Sequence, residues 1–211
     1  MWNELRKWLS ANRHAWLLPG LLAAYLILFF GLNITSEPKY IIYSALDDLI
    51  PFVEWFAVPY ALWFLAFPGG LLLYLLVDKQ DFFDLCFVIF GGALVSFVIY
   101  FFWPTGLELR PAEVGDNLLC RMMQLIWLID PPNNVCPSLH CSISAAIALV
   151  TLGSAKMRRH PAASLLIVLL MAAICLSTVF VKQHSVIDVA AGVGLSLLLW
   201  LPLWLRHRQG E

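Results

Sequence analysis

Six apolar runs, each about 17 to 23 residues long, divide this chain at residues 15–31, 55–77, 82–102, 138–154, 162–181 and 185–205. A helix of about 20 residues is roughly 30 Å long, the thickness of a bilayer's hydrocarbon core. Lipid offers no partner for backbone N–H and C=O groups, so a segment that crosses it must satisfy them internally, as a helix does. Composition agrees: 61% of the 211 residues are hydrophobic and 13% are charged, more apolar surface than a soluble domain of this size needs. The expected fold is all-α, a polytopic membrane protein with six transmembrane helices. Residues 1–211 form one integral membrane domain, with a catalytic core about 103–205.

The loops set the orientation. One set of ends collects Arg6, Lys7, Arg13, Lys79, Lys156, Arg158, Arg159, Arg206 and Arg208. The other holds Lys39, Arg110, Arg121 and Lys182. The positive-inside rule then places both termini in the cytoplasm and puts Arg110, His140, Lys182 and His184 on the outer side. The basic start, with Trp2, Trp8 and Trp16, reads as an interfacial collar before a retained first span, since no small-residue cleavage site follows. Net charge is −1, so charge offers no argument for nucleic acid, and none is expected as a partner. Cys86, Cys120, Cys136, Cys141 and Cys175 show no zinc spacing; Cys120 and Cys136 share one loop and could pair on an oxidising side.

The long loop 103–136, between spans three and four, has its own pattern. Val114, Leu118, Met122, Leu125, Ile126 and Ile129 recur at helical spacing. Glu113, Asp116, Asn117, Arg121 and Gln124 take the opposite side. An amphipathic helix is expected there, either lying in the membrane interface beside a lipid path or packed on the bundle.

Two stretches carry chemistry. In Cys136-Pro137-Ser138-Leu139-His140, Pro137 is well placed at a helix start, where free N–H groups and a partial positive charge suit a phosphate. A plainer reading makes Ser138 an N-cap and His140 a buried polar residue. In Ser177 to Asp188, His184 and Asp188 lie four residues apart, on one helix face. A carboxylate beside an imidazole orients it and sets its pKa, as in activated nucleophiles. The alternative is a His–Asp hydrogen bond that only joins helices. Lys182 adds a cation two residues before His184, and Arg110 offers a guanidinium fork suited to phosphate oxygens. Together these groups suit phosphoryl transfer: cations hold the phosphate, one imidazole attacks phosphorus and the other protonates the leaving oxygen. No glycine-rich phosphate loop and no carboxylate cluster for magnesium is present, so neither metal nor cofactor is expected. Two alternatives stay open: a zinc-dependent membrane hydrolase with His140, His184 and Asp188 as ligands, and a non-catalytic phospholipid-binding or transport protein.

The sequence resembles the type 2 phosphatidic acid phosphatase superfamily of membrane lipid phosphatases and phosphotransferases. Its PSGH motif corresponds to Pro137-Ser138-Leu139-His140. Its SRxxxxxHxxxD motif is matched by Ser177, His184 and Asp188, with Thr178 in place of the arginine. Its KxxxxxxRP motif keeps Arg110-Pro111, with Trp103 in place of the lysine. The run from Trp103 to Pro111, together with Lys182-Gln183-His184, looks like the branch of inositol phosphorylceramide synthases and their bacterial relatives. The resemblance implies His184 as a nucleophile forming a phosphohistidine, Asp188 as its partner and His140 as general acid. It implies Arg110 and Ser138 as phosphate ligands, with Lys182 able to supply the missing charge. The expected partners are a phosphorylated lipid and the bilayer, and the expected setting is a bacterial inner membrane with the site facing the periplasm.

Overall fold

The structure, a computed structural model, describes residues 10–210, and of residues 208–210 the backbone alone. Trp2, Arg6, Lys7 and Trp8 of the expected collar therefore lie outside the described residues. Eight α-helices follow one another among the described residues: α1 (Leu17–Thr35), α2 (Ala45–Leu49), α3 (Ala57–Val77), α4 (Lys79–Phe102), α5 (Leu118–Ile129), α6 (Leu139–Gly153), α7 (Pro161–Phe180) and α8 (Val186–Gly210). A parallel ribbon pairs β1 (Tyr40–Ile41) with β2 (Thr105–Gly106).

Among the described residues, five helical stretches are long and apolar enough to cross a membrane: Arg13–Thr35, Glu54–Val77, Lys79–Phe102, Pro161–Phe180 and Val186–His207. Their outer faces carry large apolar side chains such as Leu65, Leu166 and Leu198, about 70% exposed, a surface that suits lipid and not water. The fourth expected span, 138–154, coincides with α6, which at 15 residues is only about 22 Å long. This helix is the enclosed centre of the bundle, packed by α4, α7 and α8.

Small residues let those helices close on α6, as membrane interfaces require. Ser142 and Ser196 share a hydroxyl bond of 2.8 Å, and Ser196 Oγ also donates to the Ser142 carbonyl at 2.7 Å. Gly92 on α4 faces the same serine; a Cβ there would stand 3.3 Å from Ser142 Oγ. Tyr74 and Thr151 add a buried hydroxyl pair at 2.6 Å.

The two ends of the bundle differ. At one, Asp78 caps α4 by accepting from the Gln80 and Asp81 N–H groups, Ser154 Oγ donates to Asp81 at 2.5 Å, and His207 stands 3.4 Å from Asp84. The turn before α4, the turn after α6 and the end of α8 therefore meet there. The other end holds His140 and His184.

Helix α5 lies within the expected loop, but its contact face differs from the sequence pattern. Cys120, Met123 and Ile126 are buried, three residues apart, and Met123 and Ile126 join Ala57, Tyr60 and Val181. Leu118, Leu125 and Ile129, expected on the same face as Ile126, are exposed with Leu128. The spacing of three selects the inner row because the cluster beneath offers small Ala57 and Val181 as its floor.

Candidate active site

The second motif is folded around a tight turn. Helix α7 ends at Phe180, and Lys182 takes a left-handed φ of 58°. That conformation is uncommon for a residue with a Cβ. It turns the chain so that the N–H groups of Gln183 and His184 both donate to the Thr178 carbonyl, at 2.9 and 3.0 Å. His184 is thereby held against the start of α8. Asp188, fully buried, accepts from His184 Nδ1 at 3.3 Å and from the Ser185 N–H at 2.9 Å through one oxygen, Oδ2.

A distant carboxylate locks this turn. Asp47 in α2 accepts from Ser185 Oγ at 2.6 Å and from the Val186 N–H at 2.9 Å. It thus caps the N-terminus of α8 from outside, satisfying a helix-end donor with a negative charge. Its backbone carbonyl accepts from Lys182 Nζ at 2.7 Å. Lys182 therefore does not join the histidines; its ammonium braces the turn that carries one of them.

The first motif opens α6. Ser138 is the N-cap: its Oγ accepts from the Cys141 N–H at 3.3 Å. Its own N–H donates to the Asp188 carbonyl at 3.0 Å, so the two motifs are joined through the backbone. His140 follows in the first turn, with Trp63 and Tyr60 of α3 against its ring at centroid distances of 4.1 and 4.8 Å. Its Nδ1 lies 3.5 Å from His184 Nε2. The two rings are in direct contact.

Arg110 reaches the site because the loop 103–136 closes on itself. Thr105 Oγ1 accepts from the N–H groups of Val135 and Cys136, at 3.0 and 3.1 Å, and Gly106 bridges to Asn133. The Arg110 guanidinium donates to the Gln183 side chain at 2.6 Å and to the Asp130 carbonyl at 2.7 Å, over the Trp127 ring. Gln183 Nε2 donates to that same carbonyl at 2.8 Å. Asp130 turns its carboxylate the other way: Oδ2 accepts from Tyr60 Oη at 2.5 Å and lies 3.7 Å from His140 Nε2. Thr178 and Trp103, the two departures from the family motifs, bring no charge. Thr178 is buried and bonds the Cys175 carbonyl, and Trp103 packs on Tyr40.

Both histidines and Asp130 line a chamber of about 460 Å³ whose remaining walls are mostly apolar, from Leu22, Phe29 and Phe30 of α1 to Trp63 and Phe67 of α3. Among the described residues, buried polar atoms without a hydrogen-bond partner include Trp63 Nε1, Asn134 Oδ1 and His140 Nε2 in its lining, and Asp188 Oδ1 and Arg110 Nε behind it. Such groups are rare in folded proteins and concentrate where a ligand or water acts. Burial by itself would lower the His184 pKa; the Asp188 hydrogen bond and charge outweigh it and hold it above the ordinary value. Burial, reinforced by the Asp188 carboxylate, pushes the Cys136 thiol up to about 12, so it is protonated and unreactive at neutral pH. All five cysteines are free, Cys120 and Cys136 included.

These side chains are arranged in a line, Asp188–His184–His140–Asp130, each imidazole using opposite nitrogens for its two neighbours. Asp188 and His140 are on opposite edges of the His184 ring, so His140, His184 and Asp188 do not converge on one point. Among the described residues no group of three His, Cys, Asp or Glu side chains is disposed to hold a metal ion. Asp47, Asp130, Tyr60 and Gln183 went unmarked in the sequence as site residues, because no local spacing ties them to the histidines.

A family model described as the PAP2 superfamily matches residues 84–210, more than half of the chain, taking in Arg110, both histidines and Asp188. Searches of curated proteins and of solved structures give no match.

Proposed function

The chain belongs to the PAP2 superfamily, and from that premise we propose that it is a lipid-phosphate phosphatase or phosphotransferase working through a phosphohistidine. The observation that carries this reading is the line Asp188–His184–His140, with contacts of 3.3 and 3.5 Å. Nδ1–H of His184 points to Asp188, which leaves the Nε2 lone pair free to attack phosphorus. As the N–P bond forms, the P–O bond to the lipid breaks, and the leaving oxygen takes the proton of His140 Nδ1. Water or an alcohol then gives a proton to His140 Nδ1 and attacks phosphorus. The N–P bond breaks, and the product is free phosphate or a new phospholipid.

Reacting atoms in a productive complex stand about 3–3.5 Å apart, so a phosphoryl group does not fit between nitrogens already at that distance. Binding parts the two rings. Arg110 supplies the cationic fork, with its Nε unpartnered; Ser138 and the start of α6 supply hydroxyl and amide dipoles. Lys182 contributes charge from behind the turn. The apolar chamber takes the lipid, which favours a phospholipid or sphingolipid substrate over a soluble phosphate ester.

In this reading α6 completes a six-pass bundle, α5 lies in the interface beside the lipid path, and the site faces the periplasm of a bacterial inner membrane with both termini cytoplasmic. The branch is that of the inositol phosphorylceramide synthases. The test is a panel of ³²P-labelled lipids presented in detergent or vesicles, with alkaline quenching to keep a phosphoramidate bond. Label on the protein that is lost in His184→Ala supports the mechanism, and the labelled product, phosphate or lipid, separates hydrolysis from transfer. Normal turnover by His184→Ala overturns it.

A further inference from the structure

The proposed mechanism uses one carboxylate, behind His184. The structure has a second, behind His140, and nothing in the sequence motifs points to it. Asp130 Oδ2 is 3.7 Å from His140 Nε2, the nitrogen facing away from His184. That nitrogen is buried without a hydrogen-bond partner. Asp130 is itself fixed on two sides. Its carbonyl accepts from Arg110 and Gln183, and its Oδ2 from Tyr60. A flexible loop residue would have no reason to be held by three separate side chains.

We infer that Asp130 is the positioning residue of His140, keeping Nδ1 as the working nitrogen in both halves of the reaction. The inference rests on the phosphohistidine reading and concerns which proton is where. Neutral imidazole has one N–H and one lone pair. With the proton on Nδ1 alone, the Nε2 lone pair would face the Asp130 carboxylate, a repulsive arrangement. Two states avoid this, and both place a proton on Nε2. The imidazolium is the acid, ready to give Nδ1–H to the leaving oxygen. The neutral Nε2–H form is the base, with its Nδ1 lone pair open to water or alcohol. The cycle alternates between these two states, and the proton facing Asp130 never leaves. Trp63 and Tyr60 against the ring disfavour the charged form, because apolar surroundings penalise an ion, and the Asp130 carboxylate offsets part of that penalty.

The charged and titratable groups that face His140 are few. Tyr60 comes from α3, Asp130 from the segment after α5 with Arg110 behind it, and His184, backed by Asp188, from the turn before α8. Asp130→Asn removes the carboxylate and keeps the shape. Tyr60→Phe removes the hydrogen bond to that carboxylate and leaves its charge more available to His140. The two changes act oppositely on the acid form of His140.

The test measures kcat against pH for wild type, Asp130→Asn and Tyr60→Phe on two probes: phosphatidic acid, whose alkyl leaving oxygen needs a proton, and 4-nitrophenyl phosphate, whose aryl oxygen needs little help. A general acid contributes on the order of 10²–10⁴-fold. Asp130→Asn is expected to lose at least about tenfold more rate on the alkyl ester than on the aryl ester, and its alkaline limb moves to lower pH. Tyr60→Phe moves that limb to higher pH. Equal losses on both esters, or limbs that stay in place or move together, overturn the inference. If Asp130→Asn does not fold, the direction of the Tyr60→Phe shift decides. His184→Ala, run beside them, keeps the two readings apart: turnover by that variant removes the phosphohistidine mechanism. An inactive His184→Ala with wild-type behaviour in Asp130→Asn removes only the role of Asp130.

Discussion

Gly192 and Ser138 are in contact across α8 and α6: a Cβ on Gly192 would stand 2.4 Å from the Ser138 carbonyl oxygen and 3.2 Å from the Ser142 amide nitrogen. Those atoms are backbone in the first turn of the helix that carries His140, so nothing can swing aside. Gly192→Ala is expected to push α6 and α8 apart, lowering stability by about 1–3 kcal/mol and kcat on the order of 10²-fold, since a displacement of about 1 Å near reacting groups has that effect. Gly194→Ala, where a Cβ meets nothing within 4 Å, serves as the control and should leave melting temperature and kcat unchanged.

Asp188→Asn leaves a partner for His184 without its charge. Free choice of tautomer follows, and kcat should fall by about 10²–10⁴-fold. Circular dichroism that is unchanged while activity is lost would show that the carboxylate acts on chemistry and not on folding.

The pH profile has a definite sign. Because His184 titrates above its ordinary value, the imidazolium persists to higher pH, and it cannot attack. The acid limb of kcat/KM should therefore lie above about 6.5, the unperturbed histidine value, with activity falling as pH drops through it. Asp188→Asn should move this limb downward in whatever activity remains. The same shift makes the folded protein hold its proton more tightly than the unfolded chain, so its contribution to stability is full below about 6.5 and fades as pH rises through the folded pKa. Thermal denaturation across pH 5–9 checks the second statement independently of catalysis.

Asp47→Asn should loosen the turn that carries His184. The carboxylate accepts from the Ser185 hydroxyl and the Val186 N–H, and an amide offers one acceptor where two are used. We expect a stability loss of about 1–3 kcal/mol with a fall in kcat. Faster amide exchange at 182–186, read by mass spectrometry, would separate this from a global effect.

Arg110→Lys keeps the charge and loses the fork. One ammonium cannot reach Gln183 and the Asp130 carbonyl while presenting a third donor to a phosphate, as the guanidinium does. KM for the phosphorylated lipid should rise by roughly tenfold with a smaller change in kcat. An equal fall in kcat with constant KM would assign Arg110 to the transition state instead.

How much of this was readable beforehand follows from sequence distance. The long helices announced themselves through apolar runs, and His184 with Asp188 through a spacing of four. Ser138 as a cap and His140 at a helix mouth were equally local. Asp47 reaches Ser185 over 138 residues and Tyr60 reaches Asp130 over 70, and no periodicity encodes such pairs. Lys182 shows the limit of position: it stands two residues before His184 in sequence, yet its ammonium bonds the Asp47 carbonyl. A left-handed φ at that residue sends its side chain to Asp47. The inner face of α5 was hidden because its apolar residues point both ways, and only the floor formed by Ala57 and Val181 chooses between them.

The reach of Asp47 sets a lower limit on what can be cut away. A fragment beginning at α4 would carry both imidazoles, their carboxylates and Arg110, yet one ring would sit on an untethered hinge. Supplying the missing N-terminal piece in trans, as a separately expressed peptide bearing α1 to α3, should restore order to that hinge. The smallest working unit is thus defined by an anchor that takes no part in the reaction.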